Sequence, residues 1–297
     1  MEFEVKRRTL EVSTGEVRNF PAPDGADMAV HVWPGADSGT PLLCLHSLFF
    51  DGRMFQPVVA LLDQMLTARP TVYAPDFRGQ GASSMGDLRP LMQTLAKDVL
   101  ALLDYENLEQ VHVLGSSMGG YVAMELMRLA PERMSGVVLS CCTGEAEADP
   151  ARFFQLADRL QHEGAKALTE MLLQTMFGDS FLAANSDLLH LWRKRFSELP
   201  PSIAEVVRGV FEHPDYGGTL SGFTKPILSI GGGEDRAKSP ANARWIADRA
   251  SNGTFAVIEK SGHTPPVEAP NVYVDLFTPF LSQLGAWRNT SLAKDMK

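Results

Sequence analysis

The chain has 297 residues, enough for one large α/β domain with an insertion, and its hydrophobic content of 44% is ordinary for a globular protein. The formal net charge is −9, so nothing favours binding to nucleic acid or to an anionic membrane surface. No apolar run reaches membrane-spanning length, and Met1 to Leu10 is charged without the apolar core of a secretory leader, which points to a cytoplasmic protein.

In chain order, residues 3–33 suggest two or three strands with a turn at Pro23-Asp24-Gly25. Pro41 to Leu45 is a continuous apolar strand ending at His46. The loop Ser47 to Arg53 leads to a helix with Val58, Leu61, Leu62 and Met65 on one face. Thr71 to Pro75 is the next strand, followed by the glycine-punctuated loop Asp76-Phe77-Arg78-Gly79-Gln80-Gly81. Leu91, Leu95, Val99 and Leu102 mark an amphipathic helix. Val111 to Leu114 is a buried strand, Gly115-Ser116-Ser117-Met118-Gly119-Gly120 a turn, and Tyr121 to Leu129 a helix closed by Pro131. Met134 to Cys142 reads as a further apolar strand. Strands alternating with helices imply parallel pairing through right-handed crossovers.

The rhythm breaks between Thr143 and Thr224, roughly 80 residues with helical patterns and no clear strand, too many for one crossover. Stripes run through Phe153, Ala157 and Leu160, through Leu188, Trp192 and Phe196, and through Ile203, Val206, Val207 and Val210. Ser202 and Glu205 would form a capping box for the last of these. The division expected is a core of residues 1–142 and 225–297 with an inserted helical cap at 143–224. The sheet resumes at Pro226 to Ile230, followed by Gly231-Gly232-Gly233-Glu234-Asp235. Ser239-Pro240 opens a helix, Phe255 to Glu259 is the last strand, and Ser261-Gly262-His263-Thr264-Pro265-Pro266 is the loop at its end. Val272 to Leu284 is the closing helix, which Pro279 would kink or shorten, and the tail after Trp287 is polar.

Strand, sharp turn and helix around Gly115-x-Ser117-x-Gly119 is the context in which a serine is lifted above a sheet at a helix N-terminus. Ser117, Asp235 and His263 each follow a strand, and in a parallel sheet the loops after the strands gather on one edge. With four features, His46-Ser47-Leu48, Asp76 to Gly81, Gly115 to Gly120 and Gly262-His263, the chain resembles the α/β-hydrolase superfamily over nearly its whole length. His46-Ser47-Leu48-Phe49 and Ser261 to Pro266 are similar to the 3-oxoadipate enol-lactonase-like and small carboxylesterase group. The departures are Ser47, where most of the superfamily has glycine, and an extra residue between Asp235 and Pro240.

The resemblance implies an α/β-hydrolase fold and a serine hydrolase acting on a small ester or lactone, without cofactor. Ser117 would be the nucleophile, His263 the base and Asp235 the acid that orients it. Glu145, Glu147 or Asp149, after the Met134–Cys142 strand, are the other candidates for the acid. The backbone N–H groups of Leu48 and Met118 would form the oxyanion hole. Phe49, Phe181 and Trp192 are the candidates for the pocket wall, and Arg193, Lys194 and Arg195 form either a solvated helix face or a carboxylate anchor. By the same resemblance His46 braces the oxyanion loop and has no catalytic role, and the Asp76–Gly81 loop is expected to be a structural turn. Seven scattered histidines without paired spacing argue against a metal, and Gly231-Gly232-Gly233 lacks the lysine of a phosphate loop. Cys44, Cys141 and Cys142 lie in apolar runs and are expected to be free and buried, the last two on opposite faces of one strand. A perhydrolase or haloperoxidase, a carbon–carbon bond hydrolase and a non-catalytic receptor on the same fold remain open, as does the oligomeric state.

Overall fold

The structure is a computed structural model and describes residues 15–66 and 68–284. At its centre is an eight-stranded sheet of β1 (Glu16–Pro21), β2 (Asp27–Trp33), β3 (Asp37–Leu45), β4 (Pro70–Pro75), β5 (Val111–Ser116), β6 (Met134–Ser140), β7 (Ile227–Gly232) and β8 (Gly253–Ile258). The spatial order is β1-β2-β4-β3-β5-β6-β7-β8. β1 pairs antiparallel with β2, and β2 with β4; every later pair is parallel. β5 lies between β3 and β6, with all its residues buried, which is why it reads as an almost unbroken apolar run.

The helices, in chain order, are α1 (Gln56–Met65), α2 (Met92–Tyr105), α3 (Met118–Leu129), α4 (Ala151–Glu163), α5 (Ala165–Met176), α6 (Asp179–Ala184), α7 (Asp187–Ser197), α8 (Ile203–Phe211), α9 (Gly217–Gly222), α10 (Pro240–Arg249), α11 (Pro265–Glu268) and α12 (Pro270–Ser282). α1 packs against α12, α2 against α3, and α10 against β7 and β8. Among the described residues, α4 to α9 are the regular structure between β6 and β7, with α4 against α8 and α5 against α7. α12 runs on past Pro279 to Ser282, so the proline neither stops the helix nor shortens it beyond its last turn, at the cost of the one hydrogen bond its N–H would have donated.

Three local expectations change. The buried stripe of α7 is Leu189, Trp192 and Phe196, at i, i+3 and i+7, with Leu188 at its edge and only partly buried; Ser186 caps the helix by accepting from the Leu189 amide. The Ser202–Glu205 capping box does not form. Ser202 is already helical, and the Pro200 and Pro201 carbonyls take the Ile203 and Ala204 amides. β6 ends at Ser140, so Cys141 and Cys142 sit in the turn beyond it and not on two faces of a strand; Cys141 has φ +52°. All three cysteines are free and buried, and burial pushes the Cys142 thiol up to about 12. Among the described residues no helix is long and apolar enough to cross a membrane. The expected strand before Gly15 and the tail after Trp287 lie outside the described residues.

Candidate active site

β5 delivers the chain to Ser117, whose backbone takes φ +51° and ψ −112° between the strand and α3. A non-glycine residue pays roughly 1–3 kcal/mol for such a conformation and keeps it only when its surroundings hold it. Here the Ser117 N–H donates to Ser140 O at 2.8 Å, and the Ser117 carbonyl accepts from the Gly120 amide at 2.8 Å. Only glycine fits two residues on: a Cβ on Gly119 would lie 2.1 Å from Leu45 O, so the helix start rests directly on the end of β3.

Ser117 Oγ lies 2.7 Å from His263 Nε2, and His263 Nδ1 lies 2.8 Å from Asp235 Oδ2. The other Asp235 oxygen accepts from the Ala237 amide at 2.7 Å and the Lys238 amide at 2.9 Å. Both carboxylate oxygens are therefore acceptors with fixed partners. The Nδ1 facing one of them must carry the imidazole proton, which leaves Nε2 free to accept from the serine hydroxyl. The Asp235 side chain is fully buried and that of His263 nearly so. The other acids considered do not reach the histidine. Glu145 and Asp149 are exposed, Glu147 pairs with Lys238 at 3.1 Å, and Glu234 turns away to accept from Ser180 N and Oγ.

Beside Ser117 run the Ser47–Phe50 loop and the start of α3. Met118 is the first residue of α3, so its N–H has no intrahelical acceptor. Leu48 N makes no protein hydrogen bond among the described residues. The loop carrying Leu48 is held from three directions. His46 accepts from the Phe77 amide at Nε2 (2.9 Å) and donates from Nδ1 to Ser47 O (2.8 Å); burial drives its pKa down, so it does this as a neutral ring. Ser47, at the position where glycine is usual, places its Oγ 2.9 Å from Ser116 Oγ and so joins the loop to the end of β5. Gln80 accepts from the Phe49 amide at 2.9 Å and holds Phe49 at φ +72°. Read from sequence as a structural turn, the Asp76–Gly81 loop gives no role to Gln80; the signal for one is a polar residue after β4, on the same sheet edge as Ser117. The turn itself is braced by Arg78, fully buried and bonded at 2.5–2.8 Å to both oxygens of Asp24 and of Asp98.

A cavity of about 250 Å³ opens over Ser117 and His263. Leu48, Phe49 and Tyr121 line its floor, and α4, α5 and α8 supply Phe153, Leu156, Leu172, Met176, Val210 and Phe211. Phe49 is among the residues that line the cavity. Trp192 and Phe181 are not, and their assignment to the wall is corrected. Trp192 is 1% exposed, 4.5 Å from the Phe50 ring and covered by the Arg195 guanidinium, while Phe181 packs on Phe177 at 4.8 Å. Helical phase turns this face of α7 into the aromatic layer beneath the cavity wall. Arg193 pairs with Glu170 and Lys194 with Glu198, both on the surface; the basic residues that do border the cavity are Arg152, Arg236 and Lys238.

Among the described residues two groups of side chains approach one another closely enough to share a cation, Cys141 with Asp235 and His263, and His31 with Asp51 and Asp76. In the first, burial holds the thiol protonated well above its usual range, and His263 is engaged on both nitrogens. In the second, Asp51 is bound by Arg53, and Asp76 accepts from the Gly52 and Ala82 amides. The carboxylates of both sets thus already accept from the protein's own groups, while His31 Nε2 lies 3.2 Å from Asp76 Oδ1 without a hydrogen-bond partner.

Against known proteins, the sequence model described as "Alpha/beta hydrolase family" matches residues 42–276. The chain is 26% identical over 256 residues to the dihydrolipoyllysine-residue acetyltransferase component of the acetoin cleaving system of Pseudomonas putida, covering 84% of this chain and 66% of that relative. It is 25% identical over 251 residues to 3-oxoadipate enol-lactonase 1 of Acinetobacter baylyi, covering 84% of this chain and 91% of the relative. Among solved structures, a thermophilic esterase from Thermogutta terrifontis superposes with a TM-score of 0.81 at 22% identity, over 91% of this chain and 99% of the other, a likeness of fold.

Proposed function

Since the chain belongs to the alpha/beta hydrolase family, we propose that it is a serine hydrolase cleaving a small carboxylic ester or lactone through an acyl-enzyme on Ser117. The observation that carries this reading is the unbroken chain of contacts from Ser117 Oγ through His263 to a buried Asp235, opening on an apolar cavity. A serine hydroxyl is a weak nucleophile at neutral pH and needs an adjacent base. His263 Nε2 takes the hydroxyl proton as Oγ attacks the carbonyl carbon, and the tetrahedral oxyanion forms against the Leu48 and Met118 N–H groups. Collapse breaks the ester C–O bond, and the imidazolium returns the proton to the departing alkoxide. In a lactone that alkoxide stays attached to the acyl group. Water then takes the place of the serine: His263 removes its proton as the oxygen attacks the acyl carbon, the acyl–Oγ bond breaks, and the imidazolium returns the proton to Ser117 Oγ, which frees the acid. Asp235 holds the ring tautomer throughout and stabilises the imidazolium.

We further propose that residues 143–224 act as a cap and that residues 1–142 and 225–297 form the core bearing the chemistry. The support is that α4, α5 and α8 provide most of the apolar wall over Ser117. A roof of this kind excludes water, which strengthens each oxyanion contact. A lactone is favoured as one substrate class by the enol-lactonase relative, which is similar over most of both chains.

The test is a panel of p-nitrophenyl esters of graded chain length beside a panel of lactones, with wild type and Ser117→Ala. Wild type should turn over short esters or lactones. Ser117→Ala should lose about 10⁴-fold or more in kcat while remaining folded. An organophosphonate should label Ser117 and no other residue. Labelling at Ser116, or full activity in Ser117→Ala, sinks the reading.

A further inference from the structure

The loop that carries His263 has an unusual supply of backbone donors. Pro265 and Pro266 follow it at the start of α11 and bring no N–H of their own, while the Gly262 and Thr264 amides, on either side of His263, are buried and need acceptors. A single carboxylate answers both. Glu268 Oε2 accepts from Gly262 N at 2.8 Å, and Glu268 Oε1 accepts from Thr264 N at 2.8 Å, with Thr264 Oγ1 a further 3.1 Å contact.

The same Oε2 also accepts from Gly178 N at 2.8 Å. Gly178 lies between α5 and α6, some 90 residues earlier in sequence. The two backbones touch at this point: a Cβ on Gly262 would lie 2.2 Å from Gly178 N. Thr264 Oγ1 reaches the Met176 carbonyl at 3.1 Å, and Thr175 and Met176 line the cavity. One side chain thus fixes the amides on both sides of His263 and ties them to the cavity wall.

We propose that Glu268 is a positioning residue, which sets the His263 ring against Ser117 and Asp235 and holds the α5–α6 junction in register with it. This rests on the assignment of His263 as the base. The clamp depends on charge as well as on shape. In Glu268→Gln either orientation of the amide points N–H donors at at least one of the three backbone N–H groups, so the clamp must open while side-chain volume is kept. Displacing a catalytic ring by about 1 Å costs on the order of 100-fold in rate.

The experiment compares wild type with Glu268→Gln by the imidazole ¹⁵N shifts of His263, which report the proton on Nδ1 and its bond to Asp235. It adds amide hydrogen exchange at Gly178, Gly262 and Thr264, and kcat and KM on the best ester. Glu268→Asp, which keeps the charge but shortens the reach, is the second variant should the first not fold. The expected result is a changed His263 nitrogen signature, exchange at the three amides faster by about tenfold or more, and a fall of about 100-fold in kcat with KM little changed. An unchanged His263 signature overturns the proposal, whatever happens to kcat, because any loss would then not act through the ring. A changed signature in a protein whose wild type turns over no ester supports the clamp and removes the hydrolase reading instead.

Discussion

Asp235→Asn tests the role proposed for the acid with almost no change in shape. In the wild type Oδ1 is committed to the Ala237 and Lys238 amides at 2.7 and 2.9 Å, and Oδ2 faces His263 Nδ1 at 2.8 Å. Two backbone donors demand an oxygen, so the asparagine carbonyl takes the Oδ1 position and its NH₂ group turns to His263. Nδ1 must then accept, and the single imidazole proton moves to Nε2. That nitrogen, 2.7 Å from Ser117 Oγ, becomes a donor and can no longer take the hydroxyl proton. The expected loss is about 10⁴-fold in kcat, or about 5.5 kcal/mol at roughly 1.4 kcal/mol per decade. KM should hold, because the carboxylate is buried behind the ring and does not line the cavity. Stability should hold as well, since both backbone hydrogen bonds survive. Steady-state kinetics on p-nitrophenyl esters and a thermal melt read all three quantities. A kcat within about tenfold of wild type would refute the tautomer reasoning, and a large effect of Glu147→Gln in the same assay would move the acid to the loop after β6.

Trp192→Ala should destabilise the protein by about 3–5 kcal/mol without moving the acyl-chain optimum, whereas Phe153→Ala should shift that optimum towards longer chains. Urea denaturation and a chain-length profile check the pair, and a shifted profile for Trp192→Ala would return that ring to the cavity wall. Burial without a hydrogen-bond partner holds His112 down to about 4, so below its ordinary pKa the unfolded chain takes up a proton that the folded protein refuses. Stability should therefore fall between about pH 6.5 and pH 4, by up to about 3 kcal/mol from this group, with no further loss from it below that range. His46 and His213 are also held down by burial and act in the same sense, so the contrast with His112→Leu is what matters. Equal pH slopes in urea midpoints for the two proteins would remove His112 from the account.

What the amino-acid sequence determined by itself was whatever is written in neighbouring residues. The turn at Gly115-x-Ser117-x-Gly119, the alternation that makes a parallel sheet and the break at Thr143 all depend on steric and hydrophobic patterns a few residues long. Ser117, His263 and the braced loop after His46 were legible for that reason, and the order of strands then gathered them on one edge. Tertiary structure alone decided which of several acids meets His263, because Asp235 and Glu147 both follow strands and only the folding of their loops separates them by partner. It also decided that Trp192 is buried against Phe50 while Phe153 faces the cavity: each helix has an apolar stripe, and its sequence does not say whether that stripe meets another helix or an open space. The contacts that Gln80 and Glu268 make were decided there too. Their distant partners, the Phe49 amide and the Gly178 amide, become neighbours only when loops far apart in sequence close on one another, and a backbone N–H leaves no mark in the sequence of the side chain that will accept from it.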